Sequence, residues 1–271
     1  MLDSKQISEI REWLEKAQNP IFFFDNDVDG LSSFLLLQRS IGRGKGISIK
    51  SFPDLNKSYA RKINELKPDV IFILDKPLVD EGFFEETRMH NIPVVWIDHH
   101  PLQEPPEYVN YYNPLQGEKP SSEPVSYWCY KIVNRDLWIA FAGSVSDWFY
   151  PDFAEKFRKE YSDLIEDYKK ADEILFETKL GKLVSILLLA LKDSTSNIAK
   201  MLKSLEKVKD PYEIFSDEKY RPIISRYEHI NKKFEDVFEK AQKTADRAKK
   251  LVFFKYSGEI STEFKNKEIR A

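Results

Sequence analysis

The chain has 271 residues, with 42 Lys and Arg against 45 Asp and Glu and a formal charge of −3, which excludes a polycation that coats nucleic acid. A 42% hydrophobic share excludes a mostly disordered chain and suits one large domain, or one domain with an appendage. The single cysteine, Cys129, excludes an intramolecular disulfide and a cysteine-based zinc site.

The apolar-rich stretch Leu183–Leu191 is too short to span a bilayer, and the N-terminus lacks the basic and apolar regions of a secretory leader. A cytoplasmic protein without membrane attachment is expected. In the first 150 residues, short runs rich in Ile, Val and Phe alternate with helical patterns. The runs are Ile21–Phe24, Ile47–Phe52, Val70–Leu74, Val94–Ile97 and Tyr108–Tyr112. Several are apolar on both faces, as strands buried in a parallel sheet are. Leu31–Ser40, Asn56–Leu66 and Val79–Met89 fit between them as helices. The alternation predicts an α/β fold, a parallel Rossmann-like sheet flanked by helices.

After Asn113-Pro114, Ser122–Asn134 and Asp136–Trp148 read as consecutive helices. From Pro151 to Lys250 charged and apolar residues alternate at amphipathic helical spacing, with breaks expected at Gly181, Asp210-Pro211 and Arg221-Pro222. Leu251–Tyr256 turns β-like again. The expected organisation is an α/β catalytic domain over 1–150, a helical extension or cap over 151–250, and the start of a linker or truncated second domain over 251–271. The basic-leaning last 40 residues read as a solvated helix face in preference to a nucleic-acid patch.

In open parallel sheets the ligand crevice lies beyond the carboxyl ends of the strands. Asp25-Asn-Asp27-Val-Asp29-Gly30 follows the first run, Asp75 the third, and Asp98-His99-His100-Pro101 the fourth. Asp147 ends the apolar run Trp138–Val145. Aspartates converging on one crevice repel each other unless cations join them. Asp25, Asp27, Asp29, Asp75 and Asp147 carry five negative charges, and two divalent ions nearly balance them. Oxygen ligands with one or two imidazoles suit Mn²⁺ or Mg²⁺, and the imidazole favours Mn²⁺. Two such ions about 3.5–4 Å apart can activate water and clamp the leaving oxygens of a phosphoryl group.

Simpler readings account for the other features. Asp29-Gly30 suits a turn or helix cap, and an EF-hand fails because Leu36 stands where its closing glutamate belongs. Gly42–Gly46 has the wrong spacing for a phosphate-binding loop. Of four histidines, His90 and His229 have no partner pattern, whereas His99 and His100 are adjacent behind an acid. Cys129 reads as a small packed residue.

Taken together, these residues resemble the DHH phosphoesterase superfamily in its RecJ-like nuclease branch, especially its archaeal members. The motifs that carry the resemblance are Asp25-Asn-Asp27-Val-Asp29-Gly30, Asp75 closing a strand, Trp96-Ile-Asp98-His99-His100-Pro101, and Ala142-Gly143 with Asp147. They occur in order over roughly residues 15–150, with Asn113-Pro114 also matching. The resemblance implies that Asp25 and Asp27 hold one metal with Asp75. It gives Asp29, His99 and Asp147 the other, with Asp75 bridging. His100 would lie close to the scissile phosphate as a positioning group or proton donor, and Asp98 would orient a histidine.

The chain departs from the family in three ways. Asp25 stands where the pyrophosphatases and oligoribonucleases of the superfamily begin with a histidine at wider spacing, which favours the RecJ-like branch. The family usually ends in a smaller domain with a glycine-rich motif. Leu251–Ile260 resembles the opening strand of such a domain, yet no glycine pair follows, so the chain is expected to lack most of that half. Lys76 after Asp75 is unfamiliar and reads as a solvated side chain in preference to a phosphate neighbour.

The expected function is a Mn²⁺-dependent phosphodiesterase, an exonuclease on single-stranded DNA or RNA in repair or replication. One alternative is hydrolysis of a small phosphate substrate, such as pyrophosphate, a cyclic dinucleotide or nanoRNA. The other is a non-catalytic replisome or repair scaffold, which is disfavoured because every ligand position holds a competent residue. A helicase or a replication or repair protein is the expected partner, with the helices of Pro151–Lys250 as its docking surface or as one wall of the cleft.

Overall fold

The computed structural model describes residues 1–245. Helix α1 (Ser4–Lys16) precedes the first strand. Five strands form one parallel sheet: β1 (Ile21–Asp25), β2 (Lys45–Ile49), β4 (Ile71–Leu74), β6 (Val94–Ile97) and β7 (Val109–Tyr112), in the order β2-β1-β4-β6-β7. Two short strands, β3 (Asp54–Leu55) and β5 (Leu78–Val79), pair separately. Helices α2 (Val28–Ile41), α3 (Arg61–Leu66), α4 (Glu81–Met89), α5 (Val125–Val133) and α6 (Leu137–Ser146) complete the α/β part. The fold class is the one the sequence predicts.

Alternate residues of each strand feed two cores, as a period of two requires. Phe22, Phe24, Phe72, Leu74, Val95 and Ile97 pack with α2, α5 and α6. Ile21, Phe23, Ile71, Ile73, Val94 and Trp96 pack with Ala60, Ile63, Phe83 and Phe84 on the other face. Both faces are covered, which explains runs with no polar positions. Helix α2 is buried from Val28 to Gln38, because the sheet covers one side of it and α5 and α6 the other. Phe24 stacks on Phe34 at 5.1 Å and fixes α2 against β1.

Helices α7 (Ala154–Glu160), α8 (Ser162–Ile165), α9 (Ala171–Glu177), α10 (Lys179–Ala190), α11 (Thr195–Leu205), α12 (Pro211–Ser216) and α13 (Arg221–Ala245) follow. Their buried side chains, including Phe157, Ile174, Leu183, Leu187, Leu202 and Ile214, belong to the same core as α2 and α6. Each contributes about 1.5–3 kcal/mol, so this layer is bound firmly to the sheet. Arg39 of α2 adds a polar anchor. It donates to both Asp136 oxygens, at 3.1 and 2.7 Å, and to the carbonyls of Leu205 and Val208.

Several expectations are corrected. Helix α1 was not foreseen, although Asp3 and Gln6 form a reciprocal cap and Ile10 and Leu14 are its buried face. The second strand ends at Ile49 rather than Phe52, which is 83% exposed in a loop. The expected helix over 56–66 is a 3₁₀ turn, Lys57–Ala60, followed by α3. Gly181 does not break a helix. It lies in the first turn of α10, where a Cβ would meet the Leu175 carbonyl oxygen at 2.0 Å. Asp210 caps α12 with Pro211 at its start, and Pro222 lies at the start of α13, as expected. The expected strand at 251–256 and the unit at 251–271 lie outside the described residues. Among the described residues no helix is long and apolar enough to cross a membrane.

The chain runs from β1 outward to β2, then returns to the other side of β1 as β4. Strand order therefore reverses between β1 and β4, and a crevice opens at their carboxyl ends. Asp25 and Asp75 flank it.

Candidate metal centre

Three strand ends and one helix end build the centre. Asp25 is the last residue of β1, and Asp27 caps α2, its Oδ1 accepting the Gly30 amide at 2.9 Å. The turn is tight: a Cβ on Gly30 would lie 2.6 Å from the Asp25 carbonyl oxygen, so glycine is required there. Asp75 follows β4 with a φ of 56°, a left-handed conformation that aspartate adopts more readily than most residues other than glycine. Asp98, His99 and His100 follow β6, and Asp147 ends α6. Gly143 lets α6 approach closely, since a Cβ there would lie 2.6 Å from the Ser32 Cβ and the Ser126 Oγ.

The ligand atoms of Asp75, His99 and His100 lie within 4.8 Å of one another. His99 Nε2 is 3.4 Å from Asp75 Oδ1 and 3.5 Å from Asp147 Oδ2. His99 Nδ1 lies 3.3 Å from the Ser122 carbonyl oxygen. A proton on Nδ1 satisfies that contact and leaves the Nε2 lone pair facing the carboxylates, the tautomer a metal ligand needs. Asp75 is 2% exposed, and its Oδ1 is buried without a hydrogen-bond partner. An orphaned carboxyl oxygen beside an imidazole nitrogen and further carboxylates fits a divalent cation such as Mn²⁺ or Mg²⁺.

The electrostatics agree. Burial, then the charges of Asp25 and Asp29, push Asp27 up to about 6. Burial, then Asp147, push Asp29 up to about 6. Burial and the charges of Asp27, Asp29, Asp25 and Asp98 raise Asp75 well above the usual carboxylate range. Burial also raises Asp147. These acids are strained by one another's charge.

Around them stands an orienting layer. Asp98, fully buried, accepts from His100 Nδ1 at 2.8 Å and from the His100 amide at 3.1 Å. Burial opposes the charged His100 ring, but the hydrogen bond and charge of Asp98 outweigh it and raise the pKa above the ordinary value. Buried Asn113 donates to the His100 carbonyl and to the Tyr111 hydroxyl, each at 2.9 Å, and fixes the loop.

The structure brings Asp75, His99, His100 and Asp147 together, with Asp25, Asp27, Asp29 and Asp98 close enough to feel their charge, yet two of the acids have other partners. Both oxygens of Asp29 accept backbone amides at the start of α5, Val125 and Ser126, each at 2.9 Å. Asp25 accepts from Lys76 Nζ at 2.7 Å. Lys76 corrects the sequence reading: it is not solvated but 0% exposed, and its ammonium also donates to the Ser51 carbonyl at 2.9 Å. A buried ammonium requires such partners. Its place directly behind an apolar strand was the signal available. Trp148 and Phe176 carry no sequence signal of their own. They line a cavity of about 300 Å³ with Asp27, Asp29 and Asp147.

No protein-family model and no curated protein matches the sequence. Solved structures do match. RecJ from Thermus thermophilus in complex with Mn²⁺ superposes with a TM-score of 0.61 at 14% identity, over 91% of this chain and 41% of that one. An exonuclease RecJ bound to manganese gives 0.65 at 15%, over 92% and 71%. A DHH domain from a member of the s1p family of ribosomal proteins gives 0.61 at 13%, over 89% and 62%. The chain therefore spans less than half the length of the first of these proteins. With five parallel strands in this order and the motif residues at their carboxyl ends, the chain has the RecJ-like DHH-domain fold.

Proposed function

We propose that this chain is a metal-dependent phosphoesterase, using Mn²⁺ to remove nucleotides from an end of single-stranded DNA or RNA in repair or replication. One observation carries the reading. Asp75 Oδ1, buried and without a partner, faces His99 Nε2 at 3.4 Å in a crevice shared with Asp27, Asp29 and Asp147. Uncompensated carboxylates are costly in such a place, and cations remove the cost.

Asp27, Asp75, His99 and Asp147 would hold two divalent ions, with Asp25 and Asp29 completing the negative wall. The charges then balance. The five aspartates carry five negative charges, and two divalent ions with Lys76 carry five positive ones. When bound, the ions supply Lewis acidity towards a phosphodiester. The chain's own residues do the rest. The Ser122 carbonyl sets the His99 tautomer. Asp98 holds His100 by Nδ1 and favours its protonated form, leaving Nε2 to give a hydrogen bond or proton to the departing oxygen. The likeness to structures of RecJ, one described as an exonuclease, supports nucleic acid over the small-phosphate alternatives.

The test is a gel assay with Mn²⁺ on single-stranded DNA and RNA labelled at either end, with Asp75→Ala as control. Stepwise ladders from the parent and a loss of at least about a hundredfold in the variant are expected. Full activity in Asp75→Ala, or no Mn²⁺ bound by the parent, refutes the reading.

A further inference from the structure

The crevice continues into the cavity of about 300 Å³ between the Asp27–Asp29 turn, the end of α6, and helices α9 and α10. Its floor is acidic and its walls are apolar: Trp148, Leu175, Phe176, Val184 and Leu188. Trp148 is 47% exposed, while Trp96, Trp128 and Trp138 are all buried. An indole left half in water at the mouth of a cavity is an unused apolar surface. Its backbone has a φ of 62°, uncommon for a bulky side chain, as the left-handed residue that ends α6. The amide of Trp148 donates to the Val145 carbonyl at 3.0 Å, so this conformation is built into the end of α6. The Phe176 ring lies 5.9 Å from the indole, inclined at 49°, and forms a second wall. The hydroxyl-bearing residues Ser146 and Ser185 also line the space.

We propose that this cavity is the base-binding subsite, in which Trp148 stacks on the base of the nucleotide whose phosphate lies at the carboxylate cluster. The inference rests on the phosphodiesterase reading of the same crevice. Asp147 and Trp148 are adjacent in the chain, so one turn of backbone places a metal-holding acid and a stacking ring side by side. Anionic phosphate belongs with the cations at the acidic floor. A flat, neutral base belongs against the apolar walls. The volume lies at the lower end for ligand pockets and suits one nucleoside rather than a longer segment. Stacking tolerates every base, because each has a π-face, so the subsite holds a terminal nucleotide without reading its sequence.

The test uses the full chain with Mn²⁺ and two probes, adenosine monophosphate and ribose 5-phosphate, which differ by the base alone. Binding is measured by calorimetry, and quenching of tryptophan fluorescence is followed in parallel. The parent should bind the nucleotide about 5- to 150-fold more tightly than the sugar phosphate, the range set by one stacked base. Trp148→Ala should lose that preference and raise KM for oligonucleotides by a similar factor. Trp148→Phe should restore most of both while losing the fluorescence response. Equal binding of the two probes by the parent, or an undiminished preference in Trp148→Ala, overturns the subsite and leaves the phosphodiesterase standing. Base-dependent binding through Trp148 in a chain that cleaves no oligonucleotide supports the subsite and refutes the phosphodiesterase.

Discussion

The buried pair of Lys76 and Asp25 makes the sharpest prediction, because its two members are buried unequally. Lys76 is 0% exposed and the Asp25 side chain 22%. Asp25→Ala leaves an ammonium in the interior with only the Ser51 carbonyl and a distant Phe52 ring, 5.8 Å away. Breaking a buried pair from that side costs about 3–5 kcal/mol, less whatever is regained when the Asp25 charge no longer repels Asp27 and Asp75. For a chain of this size each kcal/mol is about 2–4 °C, so the melting temperature should fall by roughly 10 °C. Lys76→Met leaves a carboxylate that water still reaches, so its cost should stay near about 1–3 kcal/mol. The double variant Asp25→Ala/Lys76→Met should be more stable than Asp25→Ala alone, since an apolar side chain then fills the interior in place of an unpaired charge. Urea and thermal unfolding at pH 7 with a chelator measure all three. If Asp25→Ala unfolds no earlier than Lys76→Met, or the double variant recovers nothing, Lys76 is not a buried cation held by Asp25.

Two further outcomes follow from the same cluster. Asp27 and Asp29 sit at about 6, so the folded chain holds their protons more tightly than the unfolded chain does. Stability without metal should therefore fall as pH rises from about 4 to about 6 and then level off. For Asp29, 2% exposed, the loss is about 3 kcal/mol. Chelated protein should melt higher at pH 5 than at pH 7.5, and saturating Mn²⁺ should reverse that order by replacing the protons; unfolding scans at both pH values, with and without Mn²⁺, decide it. Gly30→Ala should cost about 1–3 kcal/mol and weaken Mn²⁺ binding, because the obstructing atoms are the backbone of Asp25 and cannot rotate away; calorimetric Mn²⁺ titration of a variant that remains folded is the check.

Much of this was legible in the sequence, for a local reason. A strand buried on both faces is an unbroken apolar run, so the first polar residue after it marks the carboxyl end of a sheet strand. Asp25, Asp75 and Asp98 were found that way. Helix α1 carries a plain local signal, Asp3 with Gln6 before Ile10 and Leu14. Lys76 was misread because its burial is decided elsewhere in the chain, by Asp25 fifty-one residues away and by the loop carrying Ser51. Trp148 is not legible in the sequence because an exposed aromatic residue has no periodicity. Its neighbours Phe176 and Val184 reach it only through the packing of α9 and α10.

The two acids with protein partners show what that packing adds. A motif delivers Asp25, Asp27 and Asp29 to one turn with nothing to tell them apart. The structure separates them. Lys76 neutralises Asp25, the start of α5 takes both oxygens of Asp29, and Asp27 keeps one oxygen on the Gly30 amide. The Asp29 contact carries mechanical consequence as well as charge. It ties the β1–α2 turn to α5, and α5 packs on α6, whose end carries Asp147 and Trp148. The carboxylates proposed to share a cation are thus braced by a carboxylate that serves as a helix cap, and the favourable dipole at the start of α5 offsets part of its burial. Position in the turn and the partner waiting there decide which acid the protein holds and which one is left to the crevice.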